Sequence, residues 1–220
     1  MVSMTMLIMK EYDAYIFDLD GTLLDTLADL AASTNYALCA HGMPIRTIDE
    51  VRRFVGNGVR RLMEQAVPKD TDEACFEAVL ATFREHYLQH SLDTTQPYPG
   101  IMEMLGRLKA AGKATAVVSN KFDAATKALC RHFFGDLVDV AIGESERIRR
   151  KPAPDTVVEA MRLLGVERCQ VVYVGDSDVD ILTAEHSGIP CISVLWGFRD
   201  RDFLIRHGAS VFVSSPDEIG

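Results

Sequence analysis

Short apolar runs alternate with helical patterns along most of this chain, and that alternation limits the fold more than any other feature. The runs are Tyr15–Phe17, Ala114–Ser119, Val138–Ile142, Val171–Val174 and Cys191–Leu195, with a weaker one at Ser210–Val213. Between most of them lie amphipathic patterns, at Ile101–Ala111, Ala124–Phe133, Asp155–Leu164 and Ile181–Ser187. Gly112, Gly165 and Gly188 mark helix ends just ahead of strands. Strands that are apolar throughout and separated by helices predict an α/β fold whose parallel sheet is covered on both faces.

One stretch breaks the rhythm. From Asp25 to Gln96 there is no convincing strand, only helical patterns such as Leu27–Ala40, Gly58–Ala66 and Asp72–His90. It ends at Pro97-Tyr98-Pro99-Gly100, a stiff turn. The predicted organisation is a core of residues 1–24 and 97–220 with residues 25–96 as an inserted all-helical domain. Ligands in open α/β sheets bind beyond the carboxyl ends of the strands, which is where such an insertion would sit. The plainer alternative is a helical subdomain that only adds core.

A 220-residue chain with 48% hydrophobic and 25% charged residues is long enough and apolar enough to bury a real core. Its formal charge of −9 argues against a nucleic-acid backbone or an anionic membrane surface as main partner, but not against a small anion held by a local cation. Cys39, Cys75, Cys130, Cys169 and Cys191 are scattered without a CxxC pair, so neither a disulfide framework nor a zinc knuckle is expected. A reducing compartment, the cytoplasm, follows as the simple expectation. Met1 to Met9 is apolar but has no basic start and no clear cleavage site, and reads as a ragged start, not a signal peptide. No later apolar run is long enough to span a bilayer.

The chemistry concentrates at strand ends. Asp18-Leu19-Asp20-Gly21-Thr22 follows the first apolar run, and side chains two residues apart on a strand face the same side. Crowded carboxylates need a cation, a shared proton or both. The pair suits covalent catalysis with one nucleophile and one proton carrier; a helix N-cap with an acidic turn is the alternative. Val171 to Asp180 repeats the pattern, and Asp176 is the natural partner of Asp18 and Asp20 for a hard cation such as Mg²⁺. Asp180 is placed to hold metal-bound water, and Asp178 to favour a helix dipole. Ser119-Asn120-Lys121 ends another strand, where a hydroxyl and backbone N–H groups at a strand-to-helix turn make an anion site; a plain N-cap is the alternative. In Arg149-Arg150-Lys151-Pro152-Ala153-Pro154 the prolines fix where Lys151 points, and a cation there would neutralise both a nucleophile and a phosphoryl oxygen.

Together these motifs resemble, in order, the four motifs of the haloacid dehalogenase-like hydrolase superfamily, and the likeness spans nearly the whole chain. Val55-Gly56-Asn57-Gly58-Val59-Arg60, Val118-Ser119-Asn120-Lys121 and Trp196-Gly197-Phe198-Arg199 resemble the phosphoglycolate phosphatase branch. The resemblance implies a Rossmann-like doubly wound parallel sheet with a helical cap that selects substrate. It implies that Asp18 attacks phosphorus and that Asp20 protonates the leaving oxygen and then activates water. Mg²⁺ would be held by the Asp18 carboxylate, the Asp20 backbone carbonyl and the Asp176 carboxylate. Ser119, Asn120 and Lys151, with the Gly21-Thr22 turn, would bind the phosphoryl group.

The expected activity is hydrolysis of a small phosphorylated metabolite, 2-phosphoglycolate being the best single choice. A β-phosphoglucomutase-like transfer, another metabolite phosphatase (for a sugar phosphate, a nucleotide or pyrophosphate) and a silent binding protein are the alternatives. The branch that removes halides lacks an aspartate at the position of Asp20, so dehalogenation is not expected. Gly56, Asn57, Gly58 and Arg60 are the candidate specificity residues; a helix break and exposed cations on a helix are the competing readings. His86 and His90 share a helix face at a metal-like separation, but on a polar helix, and are not expected to bind zinc. A monomer or homodimer is expected. Ser214 to Ile219 reads as the cap, N1 proline and acidic first turn of a helix, and the resemblance implies that a closing helix continues beyond Gly220.

Overall fold

The computed structural model describes residues 11–220, so the opening Met1–Met9 lies outside the described residues. The strands are β1 (Ala14–Phe17), β2 (Leu24–Asp25), β3 (Gln96–Pro97), β4 (Ala114–Phe122), β5 (Val140–Glu144), β6 (Val171–Gly175), β7 (Cys191–Val194) and β8 (Phe212–Val213). Six of them form one sheet in the order β5-β4-β1-β6-β7-β8, with neighbours parallel, and β2 pairs with β3 in a short ribbon. The helices are α1 (Leu27–Ala40), α2 (Ile48–Phe54), α3 (Gly58–Ala66), α4 (Glu73–His90), α5 (Ile101–Ala110), α6 (Asp123–Phe133), α7 (Asp155–Leu164), α8 (Asp178–Ser187) and α9 (Arg201–Arg206). This is an α/β, Rossmann-like fold. Among the described residues no helix is long and apolar enough to cross a membrane.

The apolar strands are apolar because both faces of the sheet are covered. Tyr15, Phe17, Val117, Val172 and Val174 point to one side, where Ile101, Met104, Leu105 and Leu108 of α5 complete a core. Ala14, Ile16, Ala116, Val118 and Tyr173 point to the other and meet Val157, Ala160 and Met161 of α7 and Ala184 of α8. The period of two along each strand produces this division.

Residues up to 24 together with 97–220 form one compact unit, and 25–96 form another. The second unit is helical between its terminal strand residues, with its own core around Val51, Leu62, Met63, Phe76, Val79, Leu80 and Phe83. Within it Asp29 is buried, and its carboxylate accepts the backbone N–H and the hydroxyl of both Thr94 and Thr95.

Several elements differ from the hydrophobic pattern. Strand β4 runs past Ser119 to Phe122, with a register shift against β5 between Val118 and Phe122. Helix α8 begins at Asp178, ahead of the apolar pattern at Ile181, and its first turn is acidic. The chain end forms a single 3₁₀ turn, Pro216–Glu218, capped by Ser215.

Candidate active site

Strands β1 and β6 lie side by side with Phe17 opposite Val174, so parallel pairing alone brings the two acidic strand ends together. The Asp18 N–H donates to the Val174 carbonyl at 2.9 Å. The Asp18 carboxylate is buried, and its Oδ1 accepts the Leu19 N–H at 2.7 Å and meets Lys151 Nζ at 2.8 Å. Those contacts all fall on Oδ1, which leaves Oδ2 with its lone pairs.

Lys151 is 2% exposed, and its ammonium has three protein partners: Asp18 Oδ1, Asp180 Oδ1 at 2.8 Å and the Tyr173 hydroxyl at 3.0 Å. An ammonium has three N–H groups, so each is engaged. The sequence predicts a cation that neutralises both the nucleophile and a phosphoryl oxygen; in the structure Lys151 meets Asp18, the first of these.

Asp180 is held on both oxygens. Its Oδ1 accepts from Lys151 and from the Tyr173 hydroxyl at 2.9 Å, and its Oδ2 accepts from the Asp176 N–H, the Ser177 N–H and the Ser177 hydroxyl. It anchors the start of α8 and the ammonium of Lys151. Asp176 is also buried, its Oδ2 accepting the Phe198 N–H at 2.7 Å and its Oδ1 the Thr22 hydroxyl at 3.3 Å. Gly21 makes that approach possible. Its φ is +88°, and a Cβ there would sit 2.5 Å from Asp176 Oδ2. Trp196 closes the same turn by donating its indole N–H to the Thr22 carbonyl at 3.0 Å.

Oxygens of Asp18, Asp176 and Asp180 lie within 4.8 Å of one another. Three buried carboxylates against Lys151 leave excess negative charge. Burial and the charge of Asp180 push Asp176 up to about 7. Burial, then Asp180, raise Asp18 well above the usual carboxylate range, although Lys151 opposes them. Burial works to lower Lys151, but Asp18 and Asp180 outweigh it and keep the ammonium charged. An all-oxygen donor set with surplus charge fits a hard divalent cation. Because both Asp180 oxygens are saturated by protein, Asp18 and Asp176 are the carboxylates able to ligate it.

Asp20 stands apart. Its carboxylate is not in the acidic cluster, and Oδ1 instead lies 3.0 Å from Nζ of Lys121, whose side chain is 3% exposed. Ser119 is buried and its hydroxyl accepts the Lys121 N–H at 3.2 Å. Asn120 donates its amide to the Lys151 carbonyl at 3.0 Å. The anion cradle expected at a strand-to-helix turn is altered accordingly. Ser119 to Lys121 are still strand, and α6 opens only at Asp123, so no helix N-terminus stands at Ser119.

In the helical unit Asn57 precedes α3 without a side-chain cap, between Gly56 and Gly58 at positive φ. Arg60 pairs with Glu73 at 2.9 Å, Glu77 at 2.5 Å and Glu64 at 3.6 Å, which compensates its charge inside that unit. His86 bonds Ser33 and stacks between Tyr36 and His90, and His90 pairs with Asp93; they form no metal cluster among the described residues. Arg149 is exposed and bound to Asp155, as a solvated cation would be. Three contributors have no individual role in the sequence reading: the Lys121 ammonium, the Tyr173 hydroxyl and the Phe198 N–H. A lysine and a phenol inside apolar strands were the available signals; a backbone N–H leaves none.

The sequence profile of the haloacid dehalogenase-like hydrolases matches residues 15–194. A phosphoglycolate phosphatase of Mesorhizobium japonicum is 37% identical over 197 residues, 84% of each chain. An N-acetylmuramic acid 6-phosphate phosphatase of Pseudomonas aeruginosa is 31% identical over 208 residues, 94% of this chain and 92% of that one. Among solved structures, a protein of Lactobacillus delbrueckii subsp. bulgaricus provisionally named a phosphoglycolate phosphatase superposes with a TM-score of 0.91 at 37% identity, covering 95% of this chain and 97% of its own.

Proposed function

The chain belongs to the haloacid dehalogenase-like hydrolase family, and on that premise we propose that it is a Mg²⁺-dependent phosphomonoesterase of the cytoplasm whose substrate is 2-phosphoglycolate. One observation carries the reading. Two carboxylates leave the same strand, and each is paired with a different buried lysine, Asp18 with Lys151 and Asp20 with Lys121. Such a pair has separate environments for separate tasks.

In the first half-reaction Asp18 Oδ2 forms a bond to phosphorus as the bond from phosphorus to the substrate oxygen breaks. The proton of Asp20 goes to that leaving oxygen. In the second, water forms a bond to phosphorus, its proton returns to Asp20, and the phosphorus–Asp18 bond breaks. Lys151 opposes protonation of Asp18 before the attack and keeps its Oδ1 oriented through both halves. Ser119 and the backbone N–H groups of the turn after β1 are the donors for phosphoryl oxygens. The carboxylates of Asp18 and Asp176 and the Asp20 carbonyl would hold Mg²⁺, which supplies charge neutralisation at the phosphoryl group when bound. A proton carrier is needed for an alkoxide leaving group and not for a halide, which favours phosphate esters. The substrate rests on the names of the relatives, and the 25–96 unit is the proposed specificity cap. The free thiols of the five cysteines suit a reducing compartment.

The experiment is phosphate release with Mg²⁺ from 2-phosphoglycolate, N-acetylmuramic acid 6-phosphate, a hexose 1-phosphate and p-nitrophenyl phosphate, compared by kcat/KM. The highest value is expected for 2-phosphoglycolate, with Asp18→Asn inactive on every substrate. Full activity of Asp18→Asn would remove the nucleophile from the reading. Isomerisation of the hexose 1-phosphate faster than phosphate release would make the enzyme a mutase.

A further inference from the structure

We propose that Lys121 is a positioning residue for Asp20, holding one carboxylate oxygen so that the other meets the leaving-group oxygen of the substrate. The inference rests on the role given to Asp20 above. Lys121 is 4% exposed, in a strand that is buried from Thr115 to Lys121. Burying an ammonium is costly unless a charge meets it, and the charge that meets it is Asp20 Oδ1 at 3.0 Å. Oδ1 is sealed from water, and its contact with Lys121 is an ion pair and not an aligned hydrogen bond. The remaining exposure of the Asp20 side chain therefore does not come from Oδ1.

The backbone is built to aim this lysine. A strand alternates its side chains while its pairing stays in register, and where the register shifts a side chain is re-aimed. In β4 the register against β5 shifts between Val118 and Phe122, across Lys121. Three contacts fix the shifted segment: the Lys121 N–H to Ser119 Oγ at 3.2 Å, the Thr126 hydroxyl to the Lys121 carbonyl at 3.2 Å, and the Gly143 N–H to Asp123 at 3.0 Å. A Cβ at Gly143 would lie 2.6 Å from the Lys121 carbonyl oxygen, so the neighbouring strand is hollowed to admit the bulge. Two lysines thus divide the acidic motif between them, with Lys151 on the nucleophile and Lys121 on the proton carrier.

The test uses leaving groups that differ in their need for a proton. For a reaction through a phosphoenzyme, kcat/KM reports only the steps up to release of the alcohol. There a p-nitrophenolate leaves readily unprotonated, whereas an alkoxide does not. Lys121→Met is expected to lose about 10–100-fold in kcat/KM on 2-phosphoglycolate and on glycerol 2-phosphate, the range of an impaired general acid, and several-fold at most on p-nitrophenyl phosphate. Lys121→Arg is expected to recover part of the loss on the alkyl esters only. Equal losses on all three substrates, in Lys121→Met or in Lys121→Gln if the first variant does not fold, would overturn the proposal. Loss confined to 2-phosphoglycolate would also overturn it, since Lys121 would then be recognising the substrate carboxylate. Asp20→Asn separates the two levels. If it shows no leaving-group dependence, the role of Asp20 falls; if it does and Lys121→Met does not, only the inference about Lys121 falls.

Discussion

Lys151 is the residue on which most of the buried charge depends. It meets Asp18, Asp180 and the Tyr173 hydroxyl from a position 2% exposed, so its removal leaves carboxylates without a counter-charge in a dry site. Breaking a buried pair from one side typically costs about 3–5 kcal/mol, and Lys151→Met should lose that much in urea unfolding in the presence of a chelator. A loss below about 1 kcal/mol would show that the cluster relaxes without its lysine. Asp176 makes a second prediction, through pH. Its carboxyl is raised from 3.8 to about 7 by burial and by Asp180, so the folded state binds that proton more tightly than the unfolded chain. The metal-free protein therefore loses stability as pH rises from the unfolded value through about 7. Mg²⁺ must displace the proton, so its stabilising shift in Tm should be larger at about pH 8 than at about pH 6. Thermal unfolding with and without Mg²⁺ at both pH values checks this, and Asp176→Asn should reduce the difference.

At the scale of elements, patterning predicts the inner strands β1, β4 and β6 well because both faces of each are buried. Strand β5 at the sheet edge is half-buried and starts two residues into its apolar run. Where one buried side chain holds an element, the pattern had nothing to show. Helix α2 has no hydrophobic period of its own because Ile48–Phe54 buries Val51 alone, nor has α9, because Arg201–Arg206 buries Leu204 alone. The end of β4 was read as a turn because a bulge is a backbone event with no hydrophobic period. For the site, Asp18 and Asp176 are legible as acidic residues at the ends of apolar segments, and Lys151 by the prolines that follow it. The separation of Asp20 from the acidic cluster was not, since it depends on the partner that Lys121 supplies. The ribbon of β2 and β3 and the segment beside it depend on Asp29 in the same way. Its carboxyl lies below the ordinary value: burial alone would raise it, but hydrogen bonds from Thr94 and Thr95 outweigh that. A depressed carboxyl stabilises the fold above its unfolded pKa and ceases to do so as pH falls through the folded one. Asp29→Asn should therefore cost about 1.5–3 kcal/mol near neutral pH, the worth of hydrogen bonds to a charged group, and less in acid. Equal losses at both pH values would assign the effect to packing.

For the whole molecule, the chain divides into two compact units, and each contains buried apolar side chains of its own. Phe83 is fully buried in the helical unit, and Phe83→Ala should destabilise that unit by about 3–5 kcal/mol while leaving the sheet core intact. Unfolding of the variant should then separate into two transitions, the helical unit melting first. A single coincident transition would mean that the units fold as one. The indole that closes the turn over Thr22 determines how this can be seen, since it is the one tryptophan of the sequence. Under light selective for indole the sheet unit is optically labelled and the helical unit is dark, so fluorescence follows the sheet unit alone while far-ultraviolet dichroism follows the helices of both. An unmodified protein thus carries its own reporter for one of its two halves.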